Sequence, residues 1–293
     1  MVKPELLSFV TGANIRLHAD FYRAGQPRKE VTVLYYHGGG LLYGTRDDLS
    51  PVYIDRFLQA GYDFLALDYP LAPESTLDAI LSASFELLDF YLKKHGQMLG
   101  LRRNAYVLFG RSAGAYLALM LCARAIQQRL APPAAVVSLY GYGRLTAPEF
   151  VTPSRYYTKL APVAAETLKM VIAAEPVTYG PMNLRFSLYV KARQDGSWLS
   201  LLGGAKDPAA YSLTADTLAA FPPAFLAAAS FDPDVPYKLS KELSRQIPGS
   251  HLITLYREVH DFDRDAGDPD GQAVYRQIID WLAEQTAAAE PLP

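Results

Sequence analysis

A single cysteine, Cys122, stands among the 293 residues, and that scarcity excludes both a disulfide framework and a cysteine-rich zinc site. Its setting in the apolar run LALMLCARAI is that of a buried structural thiol. A basic excess is missing too, since 28 Lys and Arg face 30 Asp and Glu for a formal net charge of −2. Nucleic-acid binding needs a cationic face that neutralises phosphates, so this balance argues against it. No uninterrupted apolar stretch is long enough to span a bilayer. The opening MVKPELLSFVTGANIRLHAD lacks the apolar core of roughly 7–15 residues and the small-residue cleavage site of a secretory signal. A soluble cytoplasmic protein is therefore expected. Internal repeats and low-complexity linkers are also lacking, which favours one domain carrying an insertion over two domains.

What is present is ordinary globular material: half of the residues are hydrophobic and 20% are charged. LLSFVT and NIRLHADFYR flank Gly12-Ala13, which predicts a hairpin. In the second run Ile15, Leu17, Ala19 and Phe21 alternate with polar residues, as a strand with one wet face should. From Val31 the texture changes to nearly continuous apolar runs, in VTVLYYHGGG, YDFLALDYP, NAYVLFG, AAVVSLYGYG, PPAFLAAAS and HLITLYREVH. Such runs suit strands buried on both faces.

Helical stretches lie between them. STLDAILSASFELLDFYLKKHG puts Leu77, Ile80, Leu81, Leu87, Leu88 and Tyr91 on one face, with Ser75 and Asp78 as a capping box and Gly96 as a stop. AGAYLALMLCARAIQQRL, PYKLSKELSRQI and GQAVYRQIIDWLAEQTAAA are further helices. Strands alternating with helices predict an α/β fold, a mainly parallel twisted sheet covered on both faces. Between Tyr142 and Pro222 the alternation fails over roughly 80 residues, too long for a bare loop. PVAAETLKMVIAAE reads as helical there. The expected division is a core of 1–142 and 220–287, an inserted cap over 143–219, and a frayed tail at 288–293.

Open parallel sheets bind ligands beyond the carboxyl ends of their strands. Those ends read His37-Gly38-Gly39-Gly40, then DYPLAPE, then Gly110-Arg111-Ser112-Ala113-Gly114, then Ser230-Phe231-Asp232-Pro233-Asp234, and last Val259-His260-Asp261-Phe262. A serine on a strand-to-helix turn, an acid and a histidine thus share one edge, in the order found in α/β-hydrolases. A serine hydroxyl is a poor nucleophile until an imidazole takes its proton, and a carboxylate fixes that imidazole's tautomer. The helix after Ser112 makes the Ala113 N–H the expected oxyanion donor, and the glycine loop supplies Gly38 and Gly39 as others. Asp232 leaves its strand directly, whereas Asp234 is a rival acid that could instead cap the helix beginning at Pro236.

HGGG, DYPLAPE, GRSAG, an Asp-Pro after the next-to-last strand and a His-x-Phe after the last resemble the hormone-sensitive-lipase-like carboxylesterases, over roughly residues 31–262 outside the cap. The resemblance implies an α/β-hydrolase with Ser112 as nucleophile, His260 as base and Asp232 as acid. It also implies an oxyanion hole of Gly38, Gly39 and Ala113, no metal and no cofactor. A small uncharged ester of short to medium acyl length is the implied substrate, and a homodimer through the last strand is possible. The chain departs from the family at Arg111, where an aspartate is usual, at Pro70, where an arginine is usual, and at Asp234 and Asp261. Only 36 residues precede His37, too few for the family's N-terminal helical cap, so the central insertion is expected to cover the site.

Two alternatives use the same scaffold. One cleaves amides, as an arylformamidase or acyl-peptide hydrolase does. The other is a non-catalytic binding protein in which Arg111 grips a ligand carboxylate. Among the other histidines, His18 is placed on an edge strand, His95 at a helix end and His251 at a strand start, while His37 braces the glycine loop. Asp261, Asp263 and Asp265 read as a solvated loop rather than a metal site. The tyrosines and Trp198 of the insertion read as core packing more readily than as pocket walls.

Overall fold

The computed structural model describes residues 2–203 and 207–287; the tail at 288–293 lies outside the described residues. The predicted hairpin is β1 (Glu5–Val10) paired antiparallel with β2 (Arg16–Tyr22). β3 (Thr32–Tyr36), β4 (Asp63–Leu67), β5 (Tyr106–Arg111), β6 (Ala135–Leu139), β7 (Ala224–Ala229) and β8 (His251–Leu255) follow. They form one sheet in the order β1-β2-β4-β3-β5-β6-β7-β8, parallel from β4 to β8. β3 to β7 are buried at every position, which is why their sequences run apolar without alternation. β2 lies between β1 and β4, so His18 is not on an edge.

The two faces of the sheet separate by residue parity. Val33, Tyr35, Val107 and Phe109 pack against α1 (Pro51–Gln59) and α9 (Pro269–Ala287). Leu34, Tyr36, Tyr106 and Leu108 face α2 (Leu77–Leu99) and α3 (Ala113–Gln127) on the other side. Each fully buried leucine or phenylalanine there contributes about 1.5–3 kcal/mol. α1 is a helix the sequence reading did not isolate. α2 begins one residue later than the capping box suggested, because the Thr76 hydroxyl accepts from Ala79 N. It runs past Gly96 and stops at Gly100, which takes the left-handed conformation.

Between β6 and β7 the chain forms α4 (Ala165–Val171), α5 (Met182–Asp195), α6 (Trp198–Leu201) and α7 (Ala215–Ala219). α8 (Tyr237–Gln246) then joins β7 to β8. The inserted segment sits over the carboxyl edge. Gly180 exchanges two backbone hydrogen bonds with Gly44, at 2.7 and 2.9 Å, and Leu71 N donates to Val177 O. Buried Arg185 of α5 donates to the carbonyls of Leu42 and Ala72 and forms a forked ion pair with Glu74. The Trp198 indole N–H donates to Gly40 O at 2.8 Å. Trp198 thus packs as core and braces the glycine loop.

Candidate active site

Ser112 sits between β5 and α3 with φ +52° and ψ −118°. A non-glycine residue in that region stores about 1–3 kcal/mol of strain, held by the surrounding structure. Gly110 and Gly114 make the turn possible. A Cβ on Gly114 would lie 2.1 Å from Tyr36 O and 2.3 Å from His37 O, and one on Gly110 would lie 2.1 Å from Gly114 O. These are backbone atoms, so any side chain would separate strand from helix and lower the turn.

Three side chains from three strand ends meet there. Ser112 Oγ is 2.9 Å from His260 Nε2, and His260 Nδ1 is 2.7 Å from Asp232 Oδ2. With Nδ1–H donating to the carboxylate, Nε2 accepts from the serine hydroxyl. The other oxygen of Asp232 accepts from the N–H groups of Asp234 and Val235, which locks the carboxylate's orientation. Burial works against a charged His260, but the charge and hydrogen bond of Asp232, helped by Asp234 and Asp261, outweigh it and lift the pKa from 6.5 to about 9.

Gly38 lies against Ser112; a Cβ there would be 3.4 Å from Ser112 Cβ. Gly39 has φ +102°, and its carbonyl accepts from Leu42 and Tyr43, so the loop curls back beside the serine. Among the described residues, neither the Gly38 nor the Gly39 N–H donates to a protein acceptor. Ala113 opens α3, where an N–H has no intrahelical acceptor. His37 holds the loop from behind: its Nδ1 is 2.8 Å from Gly38 O, and its ring stacks on Tyr69, whose hydroxyl donates to His37 O at 2.9 Å. Burial holds His37 below the usual histidine pKa, so it is a neutral brace.

Asp234 does something different from both sequence expectations. Among the described residues it makes no N-cap bond to α8, and it acts on His260 only through its charge. Its carboxylate instead accepts from the hydroxyls of Tyr189 (2.8 Å) and Tyr157 (3.1 Å) and lies 3.2 Å from Arg193 Nε, joining the inserted segment to the loop after β7.

Arg111 and Asp263 also depart from expectation. Asp263 is buried, not solvated. It accepts from the hydroxyls of Tyr140 and Tyr275 and pairs with the Arg111 guanidinium at 3.0 and 3.1 Å. Arg111 further contacts Asp48 at 3.2 Å, Tyr35 at 3.3 Å and Tyr140 at 2.8 Å. A guanidinium so occupied has no fork left for a ligand carboxylate, which removes the observation that favoured a binding protein. The signal in the sequence is a cation beside Ser112 matched by an aspartate three residues past His260. Near the segment that holds Pro70, Arg46 bridges Asp68 and Asp20.

The serine, the histidine and the glycine loop line a cavity of about 230 Å³. Its walls include Tyr43, Tyr140 and Tyr189 together with Asp48, Asp261 and Arg264; Met182 is the sole aliphatic side chain among the described lining residues. Trp198 and Phe150 of the inserted segment pack with Tyr142 of the core, their rings 4.9–6.0 Å apart.

Residues 33–240 match the sequence profile of a family described as alpha/beta hydrolase fold. The chain is 32% identical to a protein with unknown function from Staphylococcus aureus subsp. aureus Mu50, over 96% of this chain and 99% of that one, with a TM-score of 0.86. It is 31% identical to an alpha/beta hydrolase superfamily protein from Enterococcus faecalis, over 96% and 98%, with a TM-score of 0.82. It is 27% identical to the esterase LipI of Mycobacterium tuberculosis over 69% of this chain. The curated relatives are longer: the chain spans 55% of that esterase, 18% of the hormone-sensitive lipase of Mus musculus and 8% of a non-reducing polyketide synthase of Aspergillus calidoustus. No helix among the described residues is long and apolar enough to cross a membrane.

Proposed function

The chain belongs to the alpha/beta hydrolase fold family, and from that premise we propose that it is a serine carboxylesterase acting on small carboxylic esters through an acyl-enzyme on Ser112. The observation that carries the proposal is the unbroken relay from Ser112 Oγ through His260 to Asp232, set beside the N–H groups of Gly38 and Gly39, which donate to no acceptor among the described residues. Ser112 Oγ attacks the ester carbonyl while His260 Nε2 takes its proton. The carbonyl oxygen, now anionic, is held by the N–H groups of Gly38, Gly39 and Ala113, each worth about 3 kcal/mol to the transition state. The tetrahedral adduct collapses, the bond to the alcohol oxygen breaks, and His260 returns the proton to the leaving alkoxide. Water then adds to the acyl-enzyme with its proton passing to His260, and the acid leaves as Ser112 regains its hydrogen.

Cavity size and lining support a short acyl group. A volume of about 230 Å³ walled by tyrosines, carboxylates and guanidiniums offers a long alkyl chain little apolar surface to bury, at about 0.8 kcal/mol per CH₂ forgone. The test is a p-nitrophenyl ester series of increasing acyl length, run on wild type, Ser112→Ala and His260→Ala. Activity peaking at acetate to butyrate and lost in both variants is the expected result. Folded wild type that is inert on every ester, and unlabelled by a fluorophosphonate probe at Ser112, would overturn the proposal.

A further inference from the structure

A largely buried ionic cluster borders the same cavity as the serine and the histidine, and the hydrolytic steps above do not use it. It draws on five parts of the chain: Tyr35 of β3, Asp48 of the following loop, Arg111 at the end of β5, Tyr140 just past β6, and Asp263 in the loop that carries His260. Arg111 is the hub, contacting all four partners within 3.3 Å. The side chain of Asp263 is fully buried and that of Arg111 is 9% exposed. Such a group costs several kcal/mol of desolvation per ion and is compensated only by full pairing.

Geometry ties the cluster to the imidazole twice. Asp263 follows His260 by three residues, so its carboxylate anchors the loop from which His260 projects. Tyr140 lies between the two, its hydroxyl on Arg111 and Asp263 and its ring 4.7 Å from the His260 ring. Tyr140 also has a positive φ, +41°, a second strained non-glycine residue beside the strained Ser112. Strain at two facing positions is retained where the surroundings over-determine them, and Arg111 is the side chain that touches the hydroxyl of one and adjoins the other in sequence.

We propose that Arg111 is a positioning residue for His260: by clamping Asp263 and Tyr140, its guanidinium holds the loop that carries the imidazole at the distance from Ser112 that proton transfer needs. The proposal rests on His260 as the base and Ser112 as the nucleophile. Charged and titratable groups facing the imidazole are Asp232 and Asp234 from the loop after β7, Asp261 from its own loop, Tyr140 from the end of β6, and Ser112. Arg111 offsets the carboxylates of Asp48 and Asp263 just behind them, so its removal adds uncompensated negative charge on that side.

The experiment compares wild type with Arg111→Met, Arg111→Lys and the double variant Arg111→Met/Asp263→Asn. Two readouts are used: kcat and KM on p-nitrophenyl acetate, and the NMR titration midpoint of the His260 imidazole. Arg111→Met should lower kcat by on the order of 10²-fold, the cost of a misplacement near 1 Å, with KM little changed and the midpoint moved to higher pH. The double variant should return the midpoint toward wild type. Arg111→Lys should keep the midpoint but not kcat, since an ammonium lacks the planar fork. An unmoved midpoint with only a lower melting temperature, or a rise in KM alone, would overturn the proposal. If Arg111→Met does not fold, Arg111→Lys keeps the charge without the fork, and unchanged kcat in that variant overturns it equally. Inert wild type whose midpoint still follows Arg111 would sink the esterase reading while supporting the coupling.

Discussion

Exchanging Asp232 and Asp234 for asparagine, one at a time, separates catalysis from anchoring in two acids only two residues apart. In Asp232→Asn the side chain keeps its volume, but an amide can present N–H to His260 Nδ1. That stabilises the wrong tautomer, and the loss in kcat should be on the order of 10⁴-fold with little change in melting temperature. Asp234→Asn acts elsewhere. Its carboxylate is buried under Tyr157, Tyr189 and Arg193, and Arg193 is 3% exposed. Removing the partner of a buried charge costs about 3–5 kcal/mol. At roughly 2–4 °C per kcal/mol for a chain of this size, the melting temperature should fall by on the order of 10 °C. Activity at 20 °C should stay within about tenfold of wild type, since the 2.7 Å contact of His260 with Asp232 is untouched. Thermal melts by circular dichroism and initial rates on p-nitrophenyl acetate measure both. Asp234→Asn that melts like wild type but loses 10⁴-fold in kcat would refute the assignment of roles.

Three further outcomes follow from the same contacts. The acid limb of kcat/KM should report His260, whose pKa is lifted toward about 9. Activity appears as the imidazole loses its proton on raising the pH, while the stability that the protonated form contributes is full below pH 6.5 and fades as pH rises through about 9. Asp261→Asn removes one of the raising charges and should move the limb to lower pH, which a rate–pH profile reads directly. Gly114→Ala forces a methyl to within 2.1 Å of Tyr36 O, so it should cost about 3 kcal/mol or more and abolish fluorophosphonate labelling of whatever folds, by denaturant titration and probe assay. Glu74→Ala leaves Arg185 buried without its forked partner and should cost about 3–5 kcal/mol, visible as a lowered urea midpoint.

Legibility in the sequence followed how local the determining interactions are. The buried strands announce themselves because parallel strands need apolar residues at every position, and the glycines around Ser112 because backbone atoms leave no room for a Cβ. The strand-end edge brought Ser112, Asp232 and His260 together on the page for the same reason: topology places them there whatever the loops do. Gly96 does not end α2 because a glycine inside a helix costs only about 1 kcal/mol, which the rest of a long helix outweighs. α5 was obscure because its inward face carries Arg185 and Arg193, which bond carbonyls and carboxylates from distant segments. No periodicity of apolar residues marks such a helix. Asp234 and Asp263 were misplaced for a related reason: an aspartate in a loop looks solvated until its tyrosine partners, up to 123 positions away for Tyr140, are brought to it.

The double backbone bridge between Gly44 and Gly180, with the Trp198 indole on Gly40, fastens the roof of the cavity to the loop that carries Gly38 and Gly39. A roof fastened in that way is coupled to the glycine loop beneath it. Swinging it aside would pull on Gly38 and Gly39, the oxyanion donors proposed above. On the esterase reading proposed above, altered selectivity is to be sought first in the side chains that line the cavity, such as Met182 and Arg264.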